Sequence, residues 1–257
     1  MTEKTIIEFK EVSKIYNGKP AVDSINLNIQ EGEFITILGT SGSGKTTTLK
    51  MINRLLEPSS GQIFFEGKEL SSLDAVALRR SIGYVVQQIG LFPHMTVFDN
   101  IATVPKLLGW SKEQITQTVR SHLDLVQLPF DEYSKRYPSE LSGGQQQRIG
   151  VARALAADPD LMLFDEPFGA IDAITRSDLQ DELLRIHKKL QDKTFIFITH
   201  DIYEAFKLGT RVVIMDEGKI CQFDKPERII QKPQTAFVEK LIATAKVQGK
   251  MWEESHD

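Results

Sequence analysis

The chain of 257 residues is long enough for one large domain or two small ones, and its composition is that of a globular protein. Its formal net charge of −4, with both signs interspersed, disfavours nucleic acid as a partner, and the single Cys221 has neither a disulfide partner nor metal-ligand neighbours. With no signal peptide at the N-terminus and no run of ~20 apolar residues, we expect a protein of the reducing cytoplasm that does not itself cross a membrane, so that any membrane role must come through partners.

The apolar pattern predicts alternating strands and helices. Residues 1–32 predict a small antiparallel β element, because residues 25–29 alternate between apolar and polar side chains. Short apolar runs bounded by turn residues predict buried strands at 34–38, 83–86, 161–164, 194–199 and 211–215. Amphipathic helices are predicted at 111–127, with a capping box of Ser111 and Gln114, and at 176–191. The alternation indicates an α/β fold with a mainly parallel sheet, and residues 88–157, rich in helical patterns, indicate an inserted helical subdomain.

Residues 39–46 read Gly-Thr-Ser-Gly-Ser-Gly-Lys-Thr and fit G-x-x-x-x-G-K-[ST] after a predicted strand. The glycines let the backbone point N–H groups inward, and the helix that begins near Lys45 adds the positive end of its dipole to bound phosphates. Lys45 would reach the β- and γ-phosphates, and the Thr46 hydroxyl would ligate Mg²⁺. A loop that only caps a helix fits the complete pattern poorly. The residues predicted to bind ATP here are Gly39, Thr40, Ser41, Gly42, Ser43, Gly44, Lys45, Thr46 and Thr47.

Polar residues also follow predicted strands, where a parallel sheet gathers ligand-binding groups. Asp165 and Glu166 end one apolar run: Asp165 would hold Mg²⁺ through water, and Glu166 would be the general base for the attacking water. His200 follows another strand and would hydrogen-bond the γ-phosphate. Gln87 follows a third and would reach Mg²⁺ and the water. Taken alone, the Asp165 and Glu166 pair is more often a strand end that meets solvent, a lone histidine is more often structural, and Gln87 is explained equally well as a polar strand end. The phosphate loop upstream favours the functional interpretation, as does the position of His200 between a strand and Asp201.

A second phosphate-binding element is predicted at residues 141–145, Leu-Ser-Gly-Gly-Gln. Ser142 and Gln145 form a capping box at the start of a predicted helix, and Gly143 and Gly144 leave N–H groups that can bind a γ-phosphate. Considered locally, an ordinary capped helix start explains these residues better. Because one nucleotide does not need both elements from one subunit, the functional alternative is a pair of chains that shares two ATP molecules.

The order of these motifs, with Asp172 before His200, resembles the nucleotide-binding subunit of ABC transporters, from Tyr16 to about Phe237. The resemblance implies the ABC ATPase fold and a head-to-tail dimer in which residues 142–145 bind ATP held by the other subunit. It implies these roles: adenine stacking for Tyr16, the Q-loop glutamine for Gln87, the D-loop aspartate for Asp172 and the switch histidine for His200. Residues 169–172 read Gly-Ala-Ile-Asp where the family usually has Ser-Ala-Leu-Asp, which leaves the finer contacts between subunits open.

Residues 46–54, 87–96 and 105–108 narrow the resemblance to ATP-binding subunits of importers for quaternary-amine osmoprotectants such as glycine betaine, carnitine or choline. None of these residues would touch the solute, so other methylated or betaine-like compounds stay open. Several such subunits carry a C-terminal pair of regulatory CBS modules. Here we expect one nucleotide-binding domain over residues 1–237 and a short tail over 238–257, without that form of osmotic regulation.

The resemblance implies an ATPase on the cytoplasmic face of the cell membrane, bound to integral-membrane permease subunits and, indirectly, to a solute-binding protein or domain. Residues 91–97 would receive a short permease helix, although core packing explains their apolar side chains equally well. Three other classes stay open. An exporter shares the core motifs, and an ABC ATPase of DNA repair or translation would usually need a long coiled-coil insertion or a fused second copy. A non-catalytic scaffold is opposed by the intact Lys45, Asp165, Glu166 and His200.

Overall fold

The polypeptide leaves its first unit at residue 73 and returns to it at residue 196, so that residues 74–195 make up a second unit. The computed structural model describes residues 4–86, 90–169 and 171–254. The strands are β1 (Thr5–Tyr16), β2 (Lys19–Gln30), β3 (Phe34–Gly39), β4 (Ser60–Phe65), β5 (Lys68–Glu69), β6 (Ile82–Val85), β7 (Leu161–Asp165), β8 (Thr194–Thr199), β9 (Arg211–Asp216) and β10 (Lys219–Asp224). The five buried strands predicted from the sequence are confirmed, each to within one residue at either end.

The helices are α1 (Lys45–Ile52), α2 (Ala75–Ser81), α3 (Val97–Ile101), α4 (Thr103–Leu107), α5 (Lys112–Leu125), α6 (Phe130–Tyr133), α7 (Gly143–Leu155), α8 (Ala173–Lys189), α9 (Ile202–Leu208), α10 (Pro226–Gln231) and α11 (Ala236–Glu254). Short 3-10 turns lie at Leu70–Ser72 and Pro138–Glu140. In the part of the chain that the structure describes, no helix is both long and apolar enough to cross a membrane. Most of residues 238–257, predicted as a tail, lie in α11, and residues 255–257 fall outside the described part.

The strands of the first unit belong to two sheets, one antiparallel and one with mostly parallel strands. Strands β1 and β2 pair antiparallel, from Thr5 opposite Gln30 onward, which confirms the element predicted for residues 1–32. Strands β4 and β5 extend it in the order β2-β1-β4-β5. The other strands of this unit follow the order β10-β9-β3-β8, with β3 parallel to β9 and β10 antiparallel to it. Strand β3 is buried throughout, as its unbroken apolar run predicts, and it ends at Gly39, where the phosphate loop starts.

Helices of the first unit are held to its sheet by one apolar cluster. The Thr36 hydroxyl of β3 donates to the Ala205 carbonyl of α9 at 3.0 Å. Each fully buried Leu, Ile or Val contributes about 1.5–3 kcal/mol, so the cluster fixes α9, α10 and α11 against the strands that carry the phosphate loop. Its buried members are Leu38, Ala205, Val212, Ile214, Ile229, Val238 and Ile242.

In the second unit, β6 and β7 pair in parallel, with Ile82 opposite Leu161 and Val85 opposite Phe164. The described residues between these two strands fold into helices α3 to α7, as the helical pattern of residues 88–157 predicts. Helix α5 begins with both hydrogen bonds of the predicted capping box: the Gln114 N–H donates to Ser111 Oγ, and the Ser111 N–H donates to Gln114 Oε1.

Helix α8 begins earlier than predicted. It starts at Ala173 rather than at residue 176, because the Asp172 carboxylate accepts a hydrogen bond from the Thr175 N–H at 3.0 Å and caps the helix there. The apolar spacing that predicts this helix begins only at Leu179 and contains no signal for the cap at Asp172. The predicted apolar face is buried at Leu179, Leu183 and Ile186, whereas Leu190 lies at the C-cap and only half-buried.

Candidate functional site

The phosphate loop joins β3 to α1 and depends on glycine at three positions. Gly42 and Gly44 have φ of +80° and +99°, which side-chain-bearing residues rarely adopt. A Cβ atom at Gly39 would strike the Met215 carbonyl oxygen and Ser43 Oγ, and one at Gly44 would strike the Ala21 carbonyl oxygen. Gly44 is also the N-cap of α1 and has no side chain to cap it. The first turn of α1 therefore directs its backbone N–H groups and positive dipole end into the loop, which suits an anion.

Two polar side chains are buried inside this loop. Lys45 is 5% exposed, and its ammonium donates to the carbonyl oxygens of Gly39 and Thr40, both at 2.9 Å. Ser43 is 1% exposed, and its Oγ has no hydrogen-bond partner among the described residues. A buried hydroxyl without a partner is costly and rare. A phosphate oxygen would accept from Ser43 and from Lys45, so the loop fits the group that its sequence predicts.

Two further predicted residues lie in the first unit, Tyr16 and His200. Tyr16 ends β1, is 44% exposed, and has the Lys14 ammonium 5.4 Å from its ring centroid. Its open ring face is compatible with stacking on a planar base. His200 is exposed and lies between the end of β8 and Asp201, which caps α9 by accepting from the N–H groups of Tyr203 and Glu204. The Asp201 N–H in turn donates to Thr199 Oγ1 at 3.0 Å, which fixes the turn that carries the histidine.

In the second unit, the two predicted carboxylates lie at the end of β7. Asp165 is 9% exposed and accepts a hydrogen bond from the Tyr84 hydroxyl at 3.3 Å. Burial, together with the nearby Asp165 charge, raises the pKa of Tyr84 well above its ordinary value, so this phenol stays protonated and remains a donor. Glu166 is half-buried and has φ of +45°, an uncommon conformation for glutamate, and it turns the chain directly after the strand.

Tyr84 was not predicted from the sequence as a site residue. Its strand, β6, pairs in parallel with β7, and Tyr84 lies opposite Leu163, two residues before Asp165. The one signal available in the sequence was a hydroxyl-bearing aromatic residue inside a buried apolar strand next to Gln87. A buried hydroxyl needs a partner, and the neighbouring strand end supplies it.

We predict that Tyr84→Phe will lower the free energy of unfolding by about 0.5–1.5 kcal/mol, since the buried Asp165 carboxylate loses a donor. Urea unfolding measures the change. Tyr203→Phe is the matched control: its hydroxyl also donates, to the Ala245 carbonyl, but the side chain is 52% exposed and water can replace the partner. Equal stability of the two variants would contradict a structural role for the hydroxyl of Tyr84.

The second predicted phosphate element forms the first turn of α7. Ser142 Oγ accepts from the Gln145 N–H at 3.3 Å, and Gln145 Oε1 accepts from the Ser142 N–H at 2.9 Å, which confirms the capping box. Leu141 is buried and anchors the turn, whereas Ser142 and Gly143 are exposed. A Cβ atom at Gly143 would meet open space, but one at Gly144 would lie 2.8 Å from Thr175 Cγ2 of α8. The turn is therefore rigid and still accessible.

Asp172, the predicted D-loop residue, is the N-cap of α8. Hydrogen bonds from the Thr175 backbone and side chain lower the pKa of its carboxyl group, which remains ionised at neutral pH. The structure thus brings the predicted D-loop aspartate and the second phosphate element, which we call the signature turn (residues 141–145), to adjacent helix starts, through Thr175 and Gly144. Gln87 lies outside the described residues, as do Gln88, Ile89 and Ala170 of the predicted segments.

A strand–glycine loop–helix phosphate site in a mixed α/β fold defines a P-loop nucleotide-binding protein. The family model for ABC transporters matches residues 22–169, and the chain belongs to this family. The resemblance inferred from the ordered motifs and the ABC ATPase fold are both confirmed.

Relatives with assigned roles are close in sequence. The carnitine transport ATP-binding protein OpuCA of Listeria monocytogenes is 56% identical over 238 residues, which are 92% of this chain and 59% of the relative. The glycine betaine uptake system ATP-binding protein YehX of Escherichia coli is 50% identical over 242 residues, 94% of this chain and 78% of the relative. The chain therefore spans only about three fifths of the length of OpuCA.

Solved structures of the same fold include two informative cassettes. A dimeric ATP-binding cassette in a post-hydrolysis state, bound to ADP and Pi, is 34% identical, with a TM-score of 0.74 over 86% of this chain and 98% of that one. The protein cbiO1 of Clostridium perfringens, part of an ABC transporter complex, is 28% identical, with a TM-score of 0.83 over 98% of this chain and 100% of that one.

Proposed function

We propose that this chain is the ATP-binding subunit of an ABC importer, which hydrolyses ATP at two shared sites of a dimer and drives solute uptake through a separate membrane permease. The observation that carries the proposal is the presence of two phosphate-binding elements in one chain. A complete loop holds buried Lys45 and Ser43, and an exposed, capped helix start lies at Ser142. A single nucleotide uses one such element from each of two subunits.

ATP binding is assigned to the phosphate loop. The backbone of residues 39–44 and the first turn of α1 hold the phosphates, Lys45 neutralises the β- and γ-phosphates, and Tyr16 stacks on adenine. Ser41, Ser43, Thr46 and Thr47 supply hydroxyl groups at the same loop. When ATP binds, the Lys45 ammonium would exchange its two hydrogen bonds to carbonyl oxygens for contacts with phosphate oxygens. These acceptors are charged rather than neutral, which favours binding of the nucleotide.

Mg²⁺ fits the donor set of the predicted site. In the described parts of the chain, no group of three or more His, Cys, Asp or Glu side chains could hold a metal by itself. Mg²⁺ prefers oxygen ligands and commonly takes only one or two from protein, with water and substrate phosphates completing its shell. We assign the Thr46 hydroxyl, Asp165 through water and Gln87 to this role. When bound, the ion would neutralise charge on the phosphates.

Hydrolysis is assigned to residues at strand ends. Glu166 takes a proton from the attacking water, and His200 hydrogen-bonds the γ-phosphate and orients that water. Gln87 contacts the water as well. The fixed turns at Glu166 and His200 support these roles, because a general base needs a defined position relative to the atom that it attacks.

Dimer formation is assigned to the signature turn. Ser142, Gly143, Gly144 and Gln145 of one copy would bind the γ-phosphate held by the other copy, with Asp172 of the D-loop beside them. ATP then binds the closed dimer better than the open one, and this difference in affinity shifts the population toward closure. The exposed Ser142 and Gly143 support the assignment, because a helix start that served only packing would not need to be open.

The permease is expected to dock on residues 91–97. The buried Asn100 side chain holds this turn: it accepts from the Phe92 N–H at 2.8 Å and donates to the carbonyl oxygens of Phe92, Met95 and Thr96. Phe92 is nevertheless 39% exposed, with the Arg153 guanidinium 5.6 Å from its ring centroid. A rigid turn with an exposed aromatic ring supports contact with an apolar partner at the cytoplasmic face of the membrane.

We propose a quaternary-amine or betaine-type osmoprotectant as the solute, because carnitine and glycine betaine systems are among the relatives. Another methylated solute is the second candidate, since the ATP-binding subunit does not contact the cargo. The whole complex, with its permease and solute-binding component, would be purified and reconstituted in vesicles. Labelled betaine, carnitine and choline should enter in an ATP-dependent manner, and Lys45→Ala should abolish entry. If none of these solutes enters, the proposed identity of the solute is wrong. If they enter without ATP, the proposed coupling of uptake to ATP hydrolysis is wrong.

A further inference from the structure

A buried ionic cluster joins α5, α7 and α8 within the second unit. At its centre is Glu182 of α8, whose side chain is 7% exposed. Its carboxylate oxygens lie 3.0 Å from Arg148 Nε of α7 and 3.8 Å from Arg185 Nη2 of α8. None of these three residues is among the predicted ATP-binding or catalytic groups, and Arg148 lies only three residues after the signature turn 141–145.

The two arginines also cap a third helix. Arg148 Nη1 donates to the Val126 carbonyl at 3.1 Å, and Arg185 Nη2 donates to the Leu125 carbonyl, both at the C-terminal end of α5. These carbonyls have no partner within their own helix, and the C-terminal end of a helix attracts cations. Glu182 thus holds two guanidinium groups in place, one from α7 and one from α8, and both bind the end of α5.

This cluster lies on the same two helices, α7 and α8, as the predicted functional turns at Ser142 and Asp172. The first turns of α7 and α8 meet where Gly144 approaches Thr175. Arg148 is about one helical turn beyond Gly144, and Glu182 is about two turns beyond Thr175, so the helices run side by side in the same direction. At their N-terminal ends are Ser142 and Asp172, which cap α7 and α8. A shift of one helix along the other would separate these two caps.

Stability alone is a poor explanation for the cluster. Burial raises the pKa of Glu182, against the opposing effect of Arg148 and Arg185, which shows that the buried carboxylate is costly to desolvate. Neither carboxylate oxygen has a partner in hydrogen-bonding geometry among the described residues, and the adjacent Gln147 amide, fully buried, has none either. Both line a cavity of about 10 Å³. Apolar side chains would fill this space at a lower cost in desolvation free energy. The buried charges are therefore better explained as groups that hold the helices in one arrangement.

We propose that Glu182 is a positioning residue that locks α7 to α8, so that the signature turn and the D-loop move as one body when two ATP-loaded copies close. The inference rests on the proposed function, because it assigns Glu182 to dimer closure. It requires that loss of the lock leaves ATP binding to the separate copy unchanged, since the phosphate loop belongs to the other unit.

The test measures ATP-dependent dimerisation by analytical ultracentrifugation in a Glu166→Gln background, which prevents turnover. Adding Glu182→Gln keeps the side-chain shape and removes the charge. The ATP concentration for half-maximal dimerisation should rise about tenfold or more, as expected when the buried charge that pairs with Arg148 is removed and the arginine is left without its ion-pair partner. Affinity for ATP at concentrations where the protein stays monomeric should not change. Glu57→Gln is the matched control, because Glu57 also pairs with an arginine, Arg54 at 2.8 Å, but is exposed.

A second variant separates positioning from stability. Arg148→Met with Glu182→Leu replaces the ion pair by apolar side chains, which should recover thermal stability but not dimerisation. Recovery of both would overturn the proposal, as would normal dimerisation of Glu182→Gln. Failure of the Glu166→Gln parent to dimerise with ATP would instead refute the proposed function. Should Glu182→Gln fail to fold, Glu182→Asp keeps the charge but moves the carboxylate away from Arg148, and the same rise in the ATP concentration for half-maximal dimerisation is expected. Normal dimerisation of Glu182→Asp would overturn the proposal.

Discussion

Replacing Glu166 by glutamine is expected to lower kcat for ATP hydrolysis by about 10²–10⁴-fold while leaving ATP binding intact. The amide keeps the size of the side chain but cannot take a proton from water. In the proposed cycle the γ-phosphate bridges the two copies until hydrolysis removes it, so the variant should accumulate as an ATP-bound dimer. Steady-state release of phosphate and size-exclusion chromatography with ATP measure the two effects.

Glu217→Gln is the control for this substitution. Glu217 has φ of +46°, almost the same backbone conformation as Glu166 at +45°, in the turn between β9 and β10. Any change in stability that comes from replacing glutamate by glutamine at a left-handed backbone position is therefore common to both variants. Turnover close to that of the unmodified protein in Glu166→Gln would remove Glu166 from the role of general base, whatever the dimer does.

Ser142→Arg is expected to abolish ATP-dependent dimerisation without weakening ATP binding by the separate copy. A long cationic side chain at an exposed helix start would fill the space that the γ-phosphate of the other copy must enter, and it would oppose the positive end of the α7 dipole. Sedimentation with the Glu166→Gln background measures dimerisation, and a fluorescent nucleotide measures binding. The variant should also lose its capping hydrogen bond, at a cost of about 0.5–2 kcal/mol.

Ser111→Arg separates these two effects. Ser111 forms the same kind of capping box with Gln114 at the start of α5, so its replacement removes an equivalent cap from a helix start that has no predicted role in the dimer. The two variants should lose similar stability, and only Ser142→Arg should lose dimerisation. Dimerisation of Ser142→Arg at normal ATP concentration would reject the assignment of this turn to the partner's nucleotide.

Elements with a strong local signal were predictable from the sequence. Buried strands such as β3 and β8 are continuous apolar runs, and the capping boxes at Ser111 and Ser142 depend only on residues three positions apart. The start of α8 was not predictable from apolar spacing, because it depends on a hydrogen bond to the Asp172 side chain. Strand β5 has two residues, too short for any periodicity to show.

The residues of the candidate site are also of two kinds: those with a local sequence pattern were predictable, and those that depend on partners distant in sequence were not. The phosphate loop has a sequence pattern of its own because the backbone must turn at Gly42 and Gly44, and the structure places both in left-handed conformations. Tyr84 and Glu182 had no such pattern. Their significance comes from partners distant in sequence, Asp165 for Tyr84 and Arg148 for Glu182, and only the pairing of strands and helices brings them together. Gln87 remains a prediction from its place in the motif order.

In the proposed dimer each ATP is held between two copies of the chain, and a mixture of two inactive variants can distinguish this shared site from one formed by a single copy. Lys45→Ala disables the phosphate loop and Ser142→Arg disables the signature turn. A mixed pair would keep one site with both parts intact, the loop of the Ser142→Arg copy facing the turn of the Lys45→Ala copy. We predict that the mixture hydrolyses ATP well above the sum of the separate variants. Activity equal to that sum would contradict the shared site.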